Sequence, residues 1–142
     1  MNKNKHILSL LTVLVFSFLA IASTESEDVI EEEISDIEPE VTVAATVLSA
    51  EYQENEIAAD LKYKGKVLLV TGTIEDIGKD LLDSIYVSLT DGEEFSLTGV
   101  QCFFSDSQAS VAANLKKGQK ISIKGKCDGL MGNVMLKGCT VE

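Results

Sequence analysis

From Gly118 to Glu142 the chain reads GQKISIKGKCDGLMGNVMLKGCTVE, a short alternating run of β-branched and aliphatic residues punctuated by glycine. Ile121, Ile123 and Gly125 alternate with Ser122, Lys124 and Lys126. A period of two places the apolar set on one face of a strand and mostly lysines on the other. Gly129-Leu130-Met131-Gly132-Asn133 has the chemistry of a turn, which sends the chain back along 134–141. Residues 64–74 echo the pattern: Leu68, Val70, Gly72 and Ile74 share one face, and Val67, Leu69, Thr71 and Thr73 the other. Glycine weakens a strand unless the strand bends sharply or another backbone comes close. Two such strands demand a small, strongly curved β domain.

A chain of 142 residues builds one such domain with a real core. Its formal charge of −11 is unevenly placed. Residues 25–56 hold twelve acids and no lysine, whereas 57–142 hold eleven acids and ten lysines, a net of −1. The acidity belongs to the leading segment, and the domain's own field is close to neutral.

Lys3 and Lys5 precede an apolar run from Ile7 to Ala22, and Ala20-Ile21-Ala22 offers a small-x-small cleavage site. Sixteen residues are short for a membrane-spanning helix, which needs about 20. Residues 1–22 are therefore expected to be a signal peptide, with an uncleaved anchor as the alternative and the only expected link to a membrane. Either way the protein is expected outside the cytoplasm: periplasmic, in the cell envelope or extracellular. Residues 23–45, with Glu31-Glu32-Glu33 and the single proline Pro39, carry too little apolar surface to offset their ordering entropy and are expected to be an acidic disordered linker.

The folded domain is expected over 46–142. Thr46 is a plausible N-cap, and Leu48, Tyr52, Ala59 and Tyr63 form one helical stripe that should end before Lys64-Gly65-Lys66. Strands follow from Lys66, near Ile85–Leu89 and near Gly99–Phe104, with turns at Gly78-Lys79-Asp80 and Asp91-Gly92. Ser105 or Asp106 should cap a short helix through Ala109, Val111, Ala112 and Leu115, and two strands complete the set. Strand, strand, strand, helix, strand, strand is the order of the oligonucleotide/oligosaccharide-binding (OB) fold. The expectation is a mainly β protein: a five-stranded Greek-key barrel with an N-terminal helix, and a short helix between strands three and four closing the barrel floor.

Several motifs occur in order along this domain. Tyr52, Asn55, Glu56, Ala59 and Asp60 lead into Tyr63-Lys64-Gly65-Lys66 and Val70-Thr71-Gly72. Val100-Gln101-Cys102-Phe103-Phe104, Leu115-Lys116-Lys117-Gly118-Gln119, Gly125-Lys126-Cys127-Asp128-Gly129 and Val134, Leu136 and Cys139 follow. In these the chain resembles the tRNA_anti-like group of OB-fold proteins, found among exported bacterial proteins and lipoproteins. The resemblance spans about 46–142 and implies the OB barrel and, through kinship with anticodon-binding domains, nucleic-acid binding. The chain departs from the lipoprotein pattern in having no cysteine after its apolar run.

Cys102, Cys127 and Cys139 all fall on expected strands. In an exported protein an odd count suggests one disulfide, Cys139 with Cys102 or Cys127; buried unbridged thiols are the alternative. The one histidine, His6, lies in the apolar leader, so neither a metal site nor a cofactor is expected. Without a poised nucleophile and base, the domain reads as a non-enzyme.

OB domains bind on the face of strands two and three. Tyr86, Phe95, Phe103 and Phe104 are the aromatics there, and Tyr86 and Phe103 are the candidate stacking platforms, with core packing as the alternative use. Lys116, Lys117, Lys120, Lys124 and Lys126 are the only basic concentration and the candidate phosphate contacts; a solvated strand face is their plainer role. The chain has no arginine, the residue best suited to bidentate phosphate contact. Single-stranded nucleic acid is the first expected partner. An envelope protein or a glycan or small anion is the alternative.

Overall fold

The computed structural model describes residues 34–90 and 98–142. The apolar leader, Phe95 and the Asp91-Gly92 turn lie outside the described residues. Six strands form one sheet: β1 (Val41–Ala44), β2 (Val67–Lys79), β3 (Ile85–Leu89), β4 (Val100–Phe104), β5 (Lys120–Met131) and β6 (Asn133–Val141). They run in the order β1-β2-β3-β4-β6-β5, and β5 returns to pair with β2. The last five therefore close a barrel, with β4 and β6 parallel and the other barrel pairs antiparallel. This is the OB order expected from the sequence.

β2 is long enough to serve both halves of the barrel. Residues 67–73 pair with β5, and from Ile74 to Lys79 the strand pairs with β3, with a register break between Ile74 and Asp76. The break coils the strand, as a small closed barrel requires. Gly72 stands where the chain crosses it: an added Cβ would meet Ala45 Cβ at 3.0 Å and Leu89 Cβ at 3.3 Å. Leu68, Val70, Ile74, Val87, Leu89, Val100, Cys102, Phe104, Ile123, Val134 and Leu136 fill the interior and are essentially inaccessible. At the β5–β6 turn Met131 pairs with Asn133 around Gly132, whose φ of +72° suits glycine.

The helical stripe is buried as expected, but on two helices rather than one. α1 (Ala45–Glu54) buries Leu48 and Tyr52, and α2 (Glu56–Tyr63) buries Ala59 and Tyr63. Asn55 between them is extended, with φ −158°, and its Oδ1 accepts the Ala58 N–H at 3.1 Å. That bond satisfies an otherwise orphaned donor of α2. Thr46 is not the cap: Ala44 holds that position without a side-chain bond. Ser105 and Asp106 likewise make no side-chain cap. Asp106–Gln108 form a 3-10 turn before the short α3 (Ala109–Ala113), from which Ala112 packs into the core.

Order begins before residue 46. β1, inside the span expected to be linker, pairs in parallel with β2 from Val41↔Leu68 to Ala44↔Thr71. Val43 and Ile34 are both buried. The alternating Val-Thr-Val run supplies strand propensity that the acids before it obscured.

Candidate functional site

The outer face of β3 and β4 is built by period two. Val87, Cys102 and Phe104 point inward, which turns Tyr86, Ser88, Gln101 and Phe103 outward. Tyr86 stands directly across from Phe103 on one side and from Gly78 of β2 on the other. Without a side chain at Gly78 the Tyr86 ring lies over that backbone: a Cβ there would come within 3.1 Å of its hydroxyl.

Tyr86 donates its hydroxyl hydrogen to Asp76 Oδ2 at 2.8 Å, and Lys117 Nζ sits 2.7 Å from Asp76 Oδ1. Lys117 and then Tyr86 hold the Asp76 carboxyl below its ordinary pKa, and that carboxylate in turn raises the Tyr86 hydroxyl. The result is a half-exposed aromatic ring fixed at its tip, with an ammonium beside it. Lys116, next in the chain, is exposed. Aromatic face and cation together are what a stacked base and its phosphate need.

The other expected contacts separate. Phe103 is only 7% exposed, so it offers no open ring face. Lys124 is buried: its Nζ donates to the Ser35 carbonyl at 2.8 Å and pairs with Glu142 at 3.0 Å, which removes it from any phosphate. Lys126 is exposed but pairs with Val67, at the end of the β2–β5 ladder opposite Lys120. Lys120 pairs with Thr73 and opens into a separate cleft. Of the candidates, Tyr86 and Lys117 come together through Asp76 on the β3–β4 side, and Lys116 adjoins Lys117 in the chain. Along the chain Asp76 reads with Asp80 and Asp83 as turn chemistry near the first strand connection, because its place across from Ser88 and its bond from Tyr86 are invisible there; in the fold it links Tyr86 to Lys117.

The expected disulfide is absent. Cys102, Cys127 and Cys139 are all buried and unbridged. Cys139 is the expected bridging residue, yet Cys102 and Cys127 both stand across from Leu136, three residues away along β6. Three residues of strand are about 10 Å, which keeps Cys139 from both, since a disulfide needs Cα atoms within about 7 Å. Cys139 lies three residues further along β6, against Gly125. The Cys127 thiol, pushed up by burial, lies 3.5 Å from the Tyr52 hydroxyl.

A closed OB barrel with an aromatic and a cation on the face of its second and third barrel strands defines the class. The chain belongs to the tRNA_anti-like family, whose model matches residues 1–140. No curated protein matches the sequence. Among solved structures it is similar to a protein of Klebsiella pneumoniae subsp. pneumoniae MGH 78578 named a "putative nucleic acid-binding lipoprotein". The two are 20% identical with a TM-score of 0.59, over 78% of this chain and 96% of that one. A weaker likeness is to OBody NL8 bound to hen egg-white lysozyme, 19% identical with a TM-score of 0.38 over 54% of this chain and 93% of that one.

Proposed function

We propose that this chain is a non-catalytic OB-fold module that binds single-stranded nucleic acid across the outer face of β3 and β4, and that it acts outside the cytoplasm. The observation that carries the binding reading is Tyr86, an anchored ring joined through Asp76 to Lys117 on the face that OB domains use. Family membership and the name given to the Klebsiella protein point the same way. The export reading rests on the apolar leader at 7–22 and on the lipoprotein character named for that relative. Lys117 already neutralises Asp76, and the domain is near neutral, so the affinity is modest and strongly dependent on salt.

Fluorescence anisotropy of the full chain with labelled dT12 and rU12 tests the binding. Binding should weaken as salt rises from 50 to 200 mM (~10-fold for a few phosphate contacts). Tyr86→Ala should cost about tenfold, the scale of one lost base stack. An unchanged affinity in Tyr86→Ala, or no binding at 50 mM salt, removes the proposal.

One observation favours a second reading, docking to an envelope protein. Leu81 and Leu82 are fully exposed at the β2–β3 loop. The loop is braced from within: Asp80 Oδ1 accepts the N–H groups of Leu82 and Ser84 at 2.9 Å each, and Lys79 pairs with Asp83 at 3.0 Å. Co-purification of an envelope partner that is lost in Leu81→Ser/Leu82→Ser, without oligonucleotide binding, would support it over the first.

A further inference from the structure

β1 and β3 lie end to end along the same edge of β2. β1 pairs as far as Thr71, and the Thr90 N–H, just past β3, donates to the Thr73 carbonyl at 3.0 Å. Between the two ends, at Gly72, the edge is bare of a partner strand. A cleft of about 820 Å³ opens there and continues over the starts of β5 and α1 and the end of β6.

The lining is unusual in kind. Thr71 stands across from Ser122 and Thr73 across from Lys120, so three hydroxyls and an ammonium share one outer face of the β2–β5 ladder. Thr46, Thr90 and Gln119 add further polar groups, and Gly72, Ala44 and Ile121 also line it. Among the described residues the hydroxyls of Thr46, Thr71, Thr73 and Ser122 and the ammonium of Lys120 enter no hydrogen bond or ion pair. Polar groups that cluster in a concavity without protein partners are positioned to serve a ligand or water.

The chemistry of the lining narrows the ligand. Lys120 supplies one positive charge, enough for a single oxyanion. Glu142, whose backbone N–H donates to the Ser122 carbonyl at 3.0 Å, also lines the cleft; Lys124 holds its carboxylate at 3.0 Å, and that carboxylate accepts hydroxyl hydrogens while repelling a second anionic group. Threonine and serine hydroxyls both donate and accept, which matches neutral hydroxyls on the ligand. Among the described residues no aromatic ring lines the cleft. Its size falls in the range of small-molecule sites, about 300–1,000 Å³.

We propose that this cleft is a second binding site, distinct from the Tyr86 face, for a small ligand that carries one oxyanion and several hydroxyl groups. Sugar phosphates and sugar acids share that chemistry. The oxyanion sits on Lys120 with Thr73 and Ser122 donating to it, and the ligand's hydroxyls reach Thr71, Thr46 and Glu142.

Isothermal titration of the full chain with glucose 6-phosphate, glucuronate, glucose and inorganic phosphate tests this. Glucose 6-phosphate or glucuronate should bind at least fivefold more tightly than either glucose or inorganic phosphate; which of the two binds identifies a phosphate or a carboxylate as the anion. Lys120→Gln and the near-isosteric Thr73→Val should each weaken that binding about tenfold, the scale of one hydrogen bond to a charged group. Tyr86→Ala should leave it unchanged while weakening oligonucleotide binding about tenfold, which separates failure of this site from failure of the other. Binding of inorganic phosphate as tight as that of the sugars, no binding of either sugar anion, or insensitivity to Lys120→Gln in a variant with the wild-type melting temperature overturns the proposal.

Discussion

At Gly125 an added Cβ would lie 2.7 Å from Cys139 Sγ and 3.2 Å from Leu136 Cβ. Both contacts come from β6, so the wall between the last two strands has no room for a methyl group. Gly125→Ala should cost about 1–3 kcal/mol in urea denaturation, the usual scale of overpacking. Adding Cys139→Ala should return part of that loss, a coupling of about 0.5–3 kcal/mol. A Gly125→Ala protein as stable as wild type would show that the strands are not this close. A different residue sets a pH dependence. Glu51 receives Lys62 at 2.8 and 3.0 Å and also the Tyr63 hydroxyl; Lys62 first and Tyr63 second hold its carboxyl below the ordinary value. A depressed carboxylate pKa gives stability that is present above the unfolded value, about pH 4.3, and that fades as pH falls through the folded one. The advantage of wild type over Glu51→Gln should therefore shrink between pH 5 and pH 3. An advantage that grows on acidification would contradict the pairing.

Among the elements, the α1–α2 pair turns on one side chain. Asn55→Ala should lower stability by about 1 kcal/mol, as loss of an N-cap does, and Asn55→Asp should recover most of it. Equal melting of wild type and Asn55→Ala would count against the cap. This junction also shows what the sequence carried and what it did not. Leu48, Tyr52, Ala59 and Tyr63 were legible as one buried stripe because helical spacing survives a one-residue break. The break was not, although Asn55 before Glu56 is cap chemistry, because the tyrosines on either side read as a continuous repeat. In the barrel, the strand order and the inward face of β5 followed from period two. Period two assigns a face and says nothing of what covers it. Lys124 is on the outer face as expected, yet Ser35 and Glu142, distant in the chain, enclose it. The same limit hid the burial of Phe103 and the offset along β6 that keeps Cys139 from Cys102 and Cys127.

For the whole molecule, the segment before α1 belongs to the fold. Ile34 and Val43 are buried, the Glu40 N–H donates to the Val67 carbonyl at 2.8 Å, and Ser35 completes the shell of Lys124. A chain starting at residue 46 should melt several degrees lower than one starting at 34, and should self-associate in sedimentation velocity through the uncovered β2 edge. Identical melting and a monomeric short form would show β1 to be dispensable. Three thiols per chain should react with a chromogenic disulfide in denaturant without reductant, and far more slowly in the native protein, since all three are buried. The placement of β1 has a consequence for the life of the protein. The hem that keeps the barrel from recruiting neighbours is stitched on by the stretch just downstream of an acidic leader, so a protease cutting near residue 45 would alter sociability before it altered shape.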